Sequence, residues 1–171
     1  MKELILNIEQ WAEDRNIING SRPIDQAMKL FSEAGELADN VGKGRDIKDD
    51  IGDVFVVLVN LAKQVNQSLT GLNFDSLQWA EGSNKELVLV LNNTLPDLVG
   101  YAHNANFFHL GLFKRAINTL NAIACNHKTT LEECVQVAYN DIKDRTGIMH
   151  NGVFIKSTDE KYSEICAELG K

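Results

Sequence analysis

The chain has 171 residues, 44% hydrophobic and 24% charged, a globular balance that excludes a disordered chain and leaves room for one ordinary domain. A formal charge of −7 argues against duplex nucleic acid as a partner, because that binding needs a basic face to displace counterions. No apolar run reaches membrane length, the start MKELILNIEQW carries acids where a secretory leader would be basic, and three cysteines without CxxC spacing indicate neither a disulfide framework nor a zinc ribbon. The expectation is a single cytoplasmic domain over 1–171, with no membrane contact.

Only two prolines occur, Pro23 and Pro96, and the long stretches between breakers predict helices. The first spans about 2–15. Ser21-Arg-Pro23 starts the second, which runs to 41 before Gly42-Lys-Gly44. A third covers 47–67, and others follow at 84–103, 107–126 and 131–145. The last of these opens on Thr130-Leu-Glu-Glu133, a capping-box pattern. The tail from Ile148 to Ile155 centres on Asn151-Gly152 and predicts a short hairpin or extended arm. Ser157-x-x-Glu160 then begins a small terminal helix. The fold class is all-α, an antiparallel helix bundle. Residues 60–79 and 121–139 echo one another weakly, so 85–126 reads as a degenerate second helical hairpin or an insertion.

On a helical wheel, 24–41 separates into two halves. Ile24, Ala27, Met28, Leu30, Phe31, Ala34, Gly35, Leu37, Ala38 and Val41 form the apolar half. Glu33 and Glu36 stand on the polar half, three residues and one turn apart. The stretch Ile51–Ala62 contains two polar residues in twelve, Asp53 and Asn60, seven apart on one stripe, with Asp50 beside it. This segment is therefore a central helix. A buried strand is rejected because no Gly-rich phosphate loop follows and the flanks are helical.

Burying Asp53 costs several kcal/mol without a compensating cation or hydrogen-bond network. The turn Gly42-Lys-Gly-Arg45 joins the two helices into a hairpin, so Glu33/Glu36 meet Asp50/Asp53. An acid three residues after another occurs five times in the chain, so the spacing alone says little. The pairing across a hairpin is the informative feature. Carboxylates with too few cations invite a divalent metal, and an all-oxygen donor set suits Mg²⁺ or Mn²⁺.

KLFSEAGELADN followed by IKDDIGDVFVVLVNLAK resembles the MazG-like, all-α nucleoside triphosphate pyrophosphohydrolases, whose signature is ExxE, a spacer, then ExxD. Glu33 and Glu36 match the first pair; Asp50 and Asp53 match the second, with Asp50 in place of the usual Glu. Ser32 also replaces an acid common before the first matched Glu. Gln10-Trp11-Ala-Glu-Asp-Arg15 and Gln26-Ala-Met-Lys29 look like the phage and Gram-positive versions, as do Ala138-Tyr-Asn-Asp-Ile-Lys-Asp-Arg-Thr-Gly147 and Gly152-Val-Phe-Ile-Lys156.

The resemblance covers most of the chain except about 71–130. It implies Mg²⁺, with Mn²⁺ as a substitute, held by Glu33, Glu36, Asp50 and Asp53, and water attack on a triphosphate to release pyrophosphate and a nucleoside monophosphate. Either Glu33 or Glu36 orients the water. It implies a homodimer and, through the matched segments, substrate contacts from Lys29, Asn140, Lys143 and Lys156. Arg145 falls on the inward face of 131–145, which suits a phosphate contact or a cation at a helix C-terminus. Trp11 stacks on a base or fills the core. Asp141 is the exposed acid expected to do nothing.

Other constellations are weaker. The four histidines show no Glu-x-x-His spacing, and Cys125, Cys134 and Cys166 read as core residues. Asp49-Asp-Ile-Gly-Asp53 fits DDxxD, the diphosphate motif of prenyl synthases, whose second acidic motif is absent. A binding or assembly module with a structural acidic stripe is the rival from a different class.

Overall fold

The computed structural model describes residues 1–77 and 81–170. Among them the helices are α1 (Lys2–Asp14), α2 (Ile17–Gly20), α3 (Pro23–Lys43), α4 (Lys48–Gln64), α5 (Asn84–Ala105), α6 (Leu110–Asn126), α7 (Leu131–Ile142) and α8 (Tyr162–Glu168). One antiparallel hairpin, β1 (Gly147–His150) and β2 (Val153–Lys156), precedes α8. Two single 3-10 turns, Leu69–Gly71 and Phe74–Ser76, follow α4. The fold is all-α. None of the described helices is long and apolar enough to cross a membrane. The end of the first echo segment, 78–79, lies outside the described residues.

The bundle is organised around α4. Every residue from Ile51 to Ala62 is buried except Asp53, so the helix is covered on nearly its whole circumference. It packs on α7, α3, α1 and α6. Gly52 permits a close approach of α4 to α7. A Cβ there would stand 2.3 Å from the Cys134 carbonyl oxygen and 2.6 Å from the Ala138 Cβ, both on α7. The hairpin α5–α6 packs on α3 through α5 and on α4 through α6.

Local chemistry explains most boundaries. Pro23 opens α3, and the Asp25 carboxylate accepts the Arg22 N–H at 2.9 Å. The helix continues through Gly42 to Lys43 and stops at Gly44, whose φ of +66° is the left-handed cap. The predicted end at 41 is thus corrected by two residues. Thr130 caps α7, with its hydroxyl accepting the Glu133 N–H and the Glu133 carboxylate accepting the Thr130 N–H, each at 3.1 Å. The Ser157-x-x-Glu160 start does not hold, because α8 begins at Tyr162 after a turn. Asn151 (φ +49°) and Gly152 (φ +81°) make the two-residue turn of the hairpin with both residues left-handed.

The wheel reading of α3 needs rotating. Its buried side chains, Gln26, Ala27, Leu30, Glu33, Ala34 and Leu37, span an arc centred near Leu30. Met28, Phe31 and Gly35 lie about 100–160° away from Leu30 and are exposed. Glu33, assigned to the polar half, is only 4% exposed. The core claims the arc facing α4 and leaves an apolar flank outside.

Arg15 fastens the hairpin to the bundle. Its Nε donates to the Arg145 carbonyl at 2.6 Å and its Nη2 to the Lys143 carbonyl at 2.9 Å, while the guanidinium lies 5.2 Å from the Trp11 ring centroid. Arg15→Ala should destabilise the protein by about 1–3 kcal/mol, and Arg15→Lys should not restore it, because one ammonium cannot span both carbonyls. Urea unfolding measures this; a loss under 0.5 kcal/mol would mean the clamp holds nothing.

Candidate functional site

One cavity of about 640 Å³ opens between α3, α4, the end of α7 and the hairpin. Its acidic wall carries Glu33 and Glu36 from α3 with Asp49 and Asp53 from α4. The cations Lys29, Arg145 and Lys156 line the same cavity. Trp11, Ile17, Val56, Val57 and Phe154 give the cavity apolar lining, beside two buried amides, Asn60 and Gln26, the latter donating to the Ser21 hydroxyl at 3.1 Å.

The charge on this wall is unbalanced. Burial pushes the Asp53 carboxyl up to about 7; repulsion from Glu33 and Asp49 adds to that, against weaker opposition from Lys29 and Arg145. Lys29 meets Glu33 one turn along α3. Its side chain is mostly exposed while that of Glu33 is buried. Glu36 faces solvent, with the Ser32 hydroxyl 3.4 Å from its Oε1.

Asp50 sits differently from the expectation. The Asn40 amide donates to both its oxygens, at 3.0 and 2.9 Å, and neither residue lines the cavity. Burial raises its pKa, and the Asn40 hydrogen bonds partly offset this. The acid that joins Asp53 on the cavity wall is Asp49, which sequence reasoning left out. Helical geometry carried the signal: four residues place Asp49 about 40° from Asp53, whereas three place Asp50 about 60° away.

The expected substrate residues divide. Trp11, Lys29, Arg145 and Lys156 line the cavity. Asn140 is exposed outside it and accepts from Gln136 at 3.2 Å. Lys143 is also outside; its backbone carbonyl accepts from Arg15 and its N–H donates to the Tyr139 carbonyl at 2.9 Å. Asn140 lies within α7 on its exposed face, whereas residues beyond it are redirected by the end of α7 at Ile142, three residues short of the predicted 145. Arg145 consequently leaves the helix and reaches the cavity from the following turn, paired with Asp141. Asp141 is therefore no silent control. The Trp11 ring is already engaged by Arg15 and, edge-on at 6.2 Å, by Phe154, so it is built into the wall. Of the cysteines only Cys134 is buried, and burial raises its thiol to about 11; Cys125 and Cys166 are half-buried.

Whether this wall fits a divalent cation can be tested on its donors. Five carboxylates line the cavity; Asp25 is engaged by Arg22, and the other four, with Asp53 raised to about 7 by burial and by its neighbours' repulsion, are the right chemistry for Mg²⁺. Among the described residues no three Asp, Glu, His or Cys side chains converge on one point. Glu33 and Asp50 are instead turned to Lys29 and Asn40. Both are side-chain contacts that a bound cation would displace. The donor set fits on those terms.

Asp53 sets a pH dependence for the metal-free protein. Its folded pKa is raised, so the native state holds a proton that the unfolded chain gives up near 4. Its contribution to stability is complete below about 4 and is lost as pH rises to about 7. The melting temperature of Asp53→Asn relative to the parent, measured in EDTA, should increase between pH 4 and 7 and level off above. A constant difference would contradict the burial and repulsion assigned to Asp53.

Comparison with known proteins gives one partial relative. A stretch of 66 residues, 37% of this chain, is 56% identical to an uncharacterized 18.2 kDa protein from the rep-hol intergenic region of Haemophilus phage HP1. The match spans 40% of the phage protein's length. No family model and no solved structure matches the chain.

Proposed function

We propose that the protein is a Mg²⁺-dependent nucleoside triphosphate pyrophosphohydrolase, cleaving a triphosphate to the monophosphate and pyrophosphate. The observation that carries this reading is the wall of Glu33, Glu36, Asp49 and Asp53 in one cavity that Arg145 and Lys156 also line, with Lys29 paired to Glu33 on the wall itself. A triphosphate brings several negative charges, which an acidic wall accepts only through intervening cations. Mg²⁺, or Mn²⁺ in its place, would be held by Glu33, Glu36, Asp53 and Asp49, and when bound it polarises phosphoryl oxygens and lowers the pKa of water. Asp50 supports the α3–α4 seam through Asn40 and stands behind that donor set.

The remaining residues bind and orient. Arg145 and Lys156 reach the cavity from the segment that Arg15 ties down, positions suited to terminal phosphate oxygens. Lys29 neutralises Glu33 until a metal replaces it. Glu36, the most solvent-accessible of the α3 acids in the cavity, is placed to accept a proton from the attacking water. The exposed flank of Met28, 57% accessible, and Phe31, 38%, supports a homodimer formed along α3. The reading carries a cytoplasmic location.

A second reading has an observation of its own. Lys29 on Glu33 and Asn40 on Asp50 are the contacts of a structural acidic stripe, as in a non-catalytic nucleotide-binding or assembly module. A Mg²⁺-dependent rise in melting temperature, together with pyrophosphate release across a nucleotide panel, supports the enzyme. No thermal shift and no release supports the module.

A further inference from the structure

Two residues that line the cavity each carry a buried side-chain polar atom without a hydrogen-bond partner. Asn60 is 4% exposed and its Oδ1 is unpaired; Trp11 is 9% exposed and its Nε1 is unpaired. Native cores rarely leave such atoms dry, and each one calls for a reason. Asn60 interrupts an otherwise apolar run from Val54 to Ala62, where a leucine would pack without that penalty. Both atoms belong to residues lining the cavity that holds Glu33 and Asp53.

Asn60 is seven residues from Asp53 on the same stripe of α4. Two helical turns put it about 10 Å further along the axis. That is comparable to the reach from the α-phosphate to the outer edge of the base in an extended nucleotide. The walls between are Val56, Val57 and Phe154, apolar surfaces suited to the flat faces of a heterocycle.

We propose that this part of the cavity is a nucleobase pocket, in which the Asn60 amide and the Trp11 indole N–H read the hydrogen-bonding edge of the base. The proposal rests on the reading of the acidic wall as a triphosphate site. A base presents a donor beside an acceptor: the donor meets Asn60 Oδ1 and the acceptor meets Trp11 Nε1–H. The indole N–H only donates, so the order is fixed, with the base's acceptor on the Trp11 side and its donor on the Asn60 side. An acyl chain would leave both atoms unpaired. A site that depends on buried polar groups discriminates strongly against ligands that cannot pair them. Asn60 is thus a specificity-determining residue, and Trp11 serves through its N–H edge.

The test uses Asn60→Leu, which keeps size and removes the amide, in a Trp79→Phe background that leaves Trp11 as the sole indole. Nucleoside 5′-monophosphates of adenine, guanine, cytosine, uracil and thymine are titrated while Trp11 emission is followed; Mg²⁺-pyrophosphate is titrated separately by calorimetry. At least one monophosphate should perturb Trp11. Asn60→Leu should weaken that ligand by at least about tenfold, with pyrophosphate affinity unchanged and a melting temperature equal or higher. The pocket is overturned if no monophosphate binds, or if Asn60→Leu binds as tightly as the parent. A lower melting temperature with unchanged affinity also overturns it and makes Asn60 purely structural. The two proposals fail separately. Asn60-dependent binding without pyrophosphate release overturns hydrolysis alone, and hydrolysis with the same base ranking in Asn60→Leu overturns the pocket alone.

Discussion

Asp53→Asn should lower pyrophosphate release at saturating Mg²⁺ by at least about 100-fold, while the metal-free protein melts at the same temperature or higher. Asp53 is the one residue between Ile51 and Ala62 that is not fully buried, and it faces Glu33 and Asp49. The substitution keeps shape and removes a charge that its neighbours repel, so relief in the apo protein and loss of turnover come from the same cause. The competing account makes Asp53 the partner of a buried cation, and stranding that cation would cost about 3–5 kcal/mol. The geometry opposes it: Lys29 is already paired with Glu33, and Arg145 with Asp141. Glu36→Gln should show the same loss of turnover. Full activity in Asp53→Asn would remove the acidic wall from the chemistry.

Gly52→Ala should destabilise the protein by about 3 kcal/mol or more in urea unfolding. Helix propensity alone predicts the opposite sign, a gain of about 1 kcal/mol. The contact decides: the new methyl would lie 2.3 Å from the Cys134 carbonyl oxygen and 2.6 Å from the Ala138 Cβ. Neither is the end of a flexible side chain, so α7 as a whole must retreat from α4. Arg145 follows α7 directly, and activity should fall with stability. Gly35→Ala is the control, because nothing stands within 4 Å of that position; there the gain in propensity should appear. A stabilised Gly52→Ala would show that α4 and α7 are not in backbone contact.

The helices were legible because punctuation and periodicity agreed. Pro23, the Thr130–Glu133 box and the apolar run of 51–62 each specify a local structure with little competition from tertiary packing. The hairpin turn was legible for a similar reason, since Asn151-Gly152 is the pair that tolerates two left-handed residues in succession. Boundaries were harder where two residues offered the same signal. Gly42 and Gly44 both read as stops, and only packing selects Gly44 as the left-handed cap.

Side-chain direction at the site was less legible. The wheel for α3 located an apolar half but could not tell which part of it the core would claim, so Glu33 came out buried and Met28 exposed. The ExxD spacing drew attention to Asp50, whereas the i,i+4 relation brings Asp49 nearer to Asp53. Arg145 reached the cavity by a route that the sequence pattern did not contain, a turn after α7 held by Arg15 from the other end of the chain. Asn60 was visible as a polar interruption on the Asp53 stripe. Its missing partner is a tertiary fact.

The central claim is tested most directly by the products. The protein is incubated with a panel of ribo- and deoxyribonucleoside triphosphates in Mg²⁺ and, separately, in EDTA, and the nucleotides and phosphates are resolved by ion exchange. The account predicts equimolar pyrophosphate and nucleoside monophosphate from at least one triphosphate, abolished by EDTA. Orthophosphate with nucleoside diphosphate, or no turnover of any triphosphate in Mg²⁺, would contradict it.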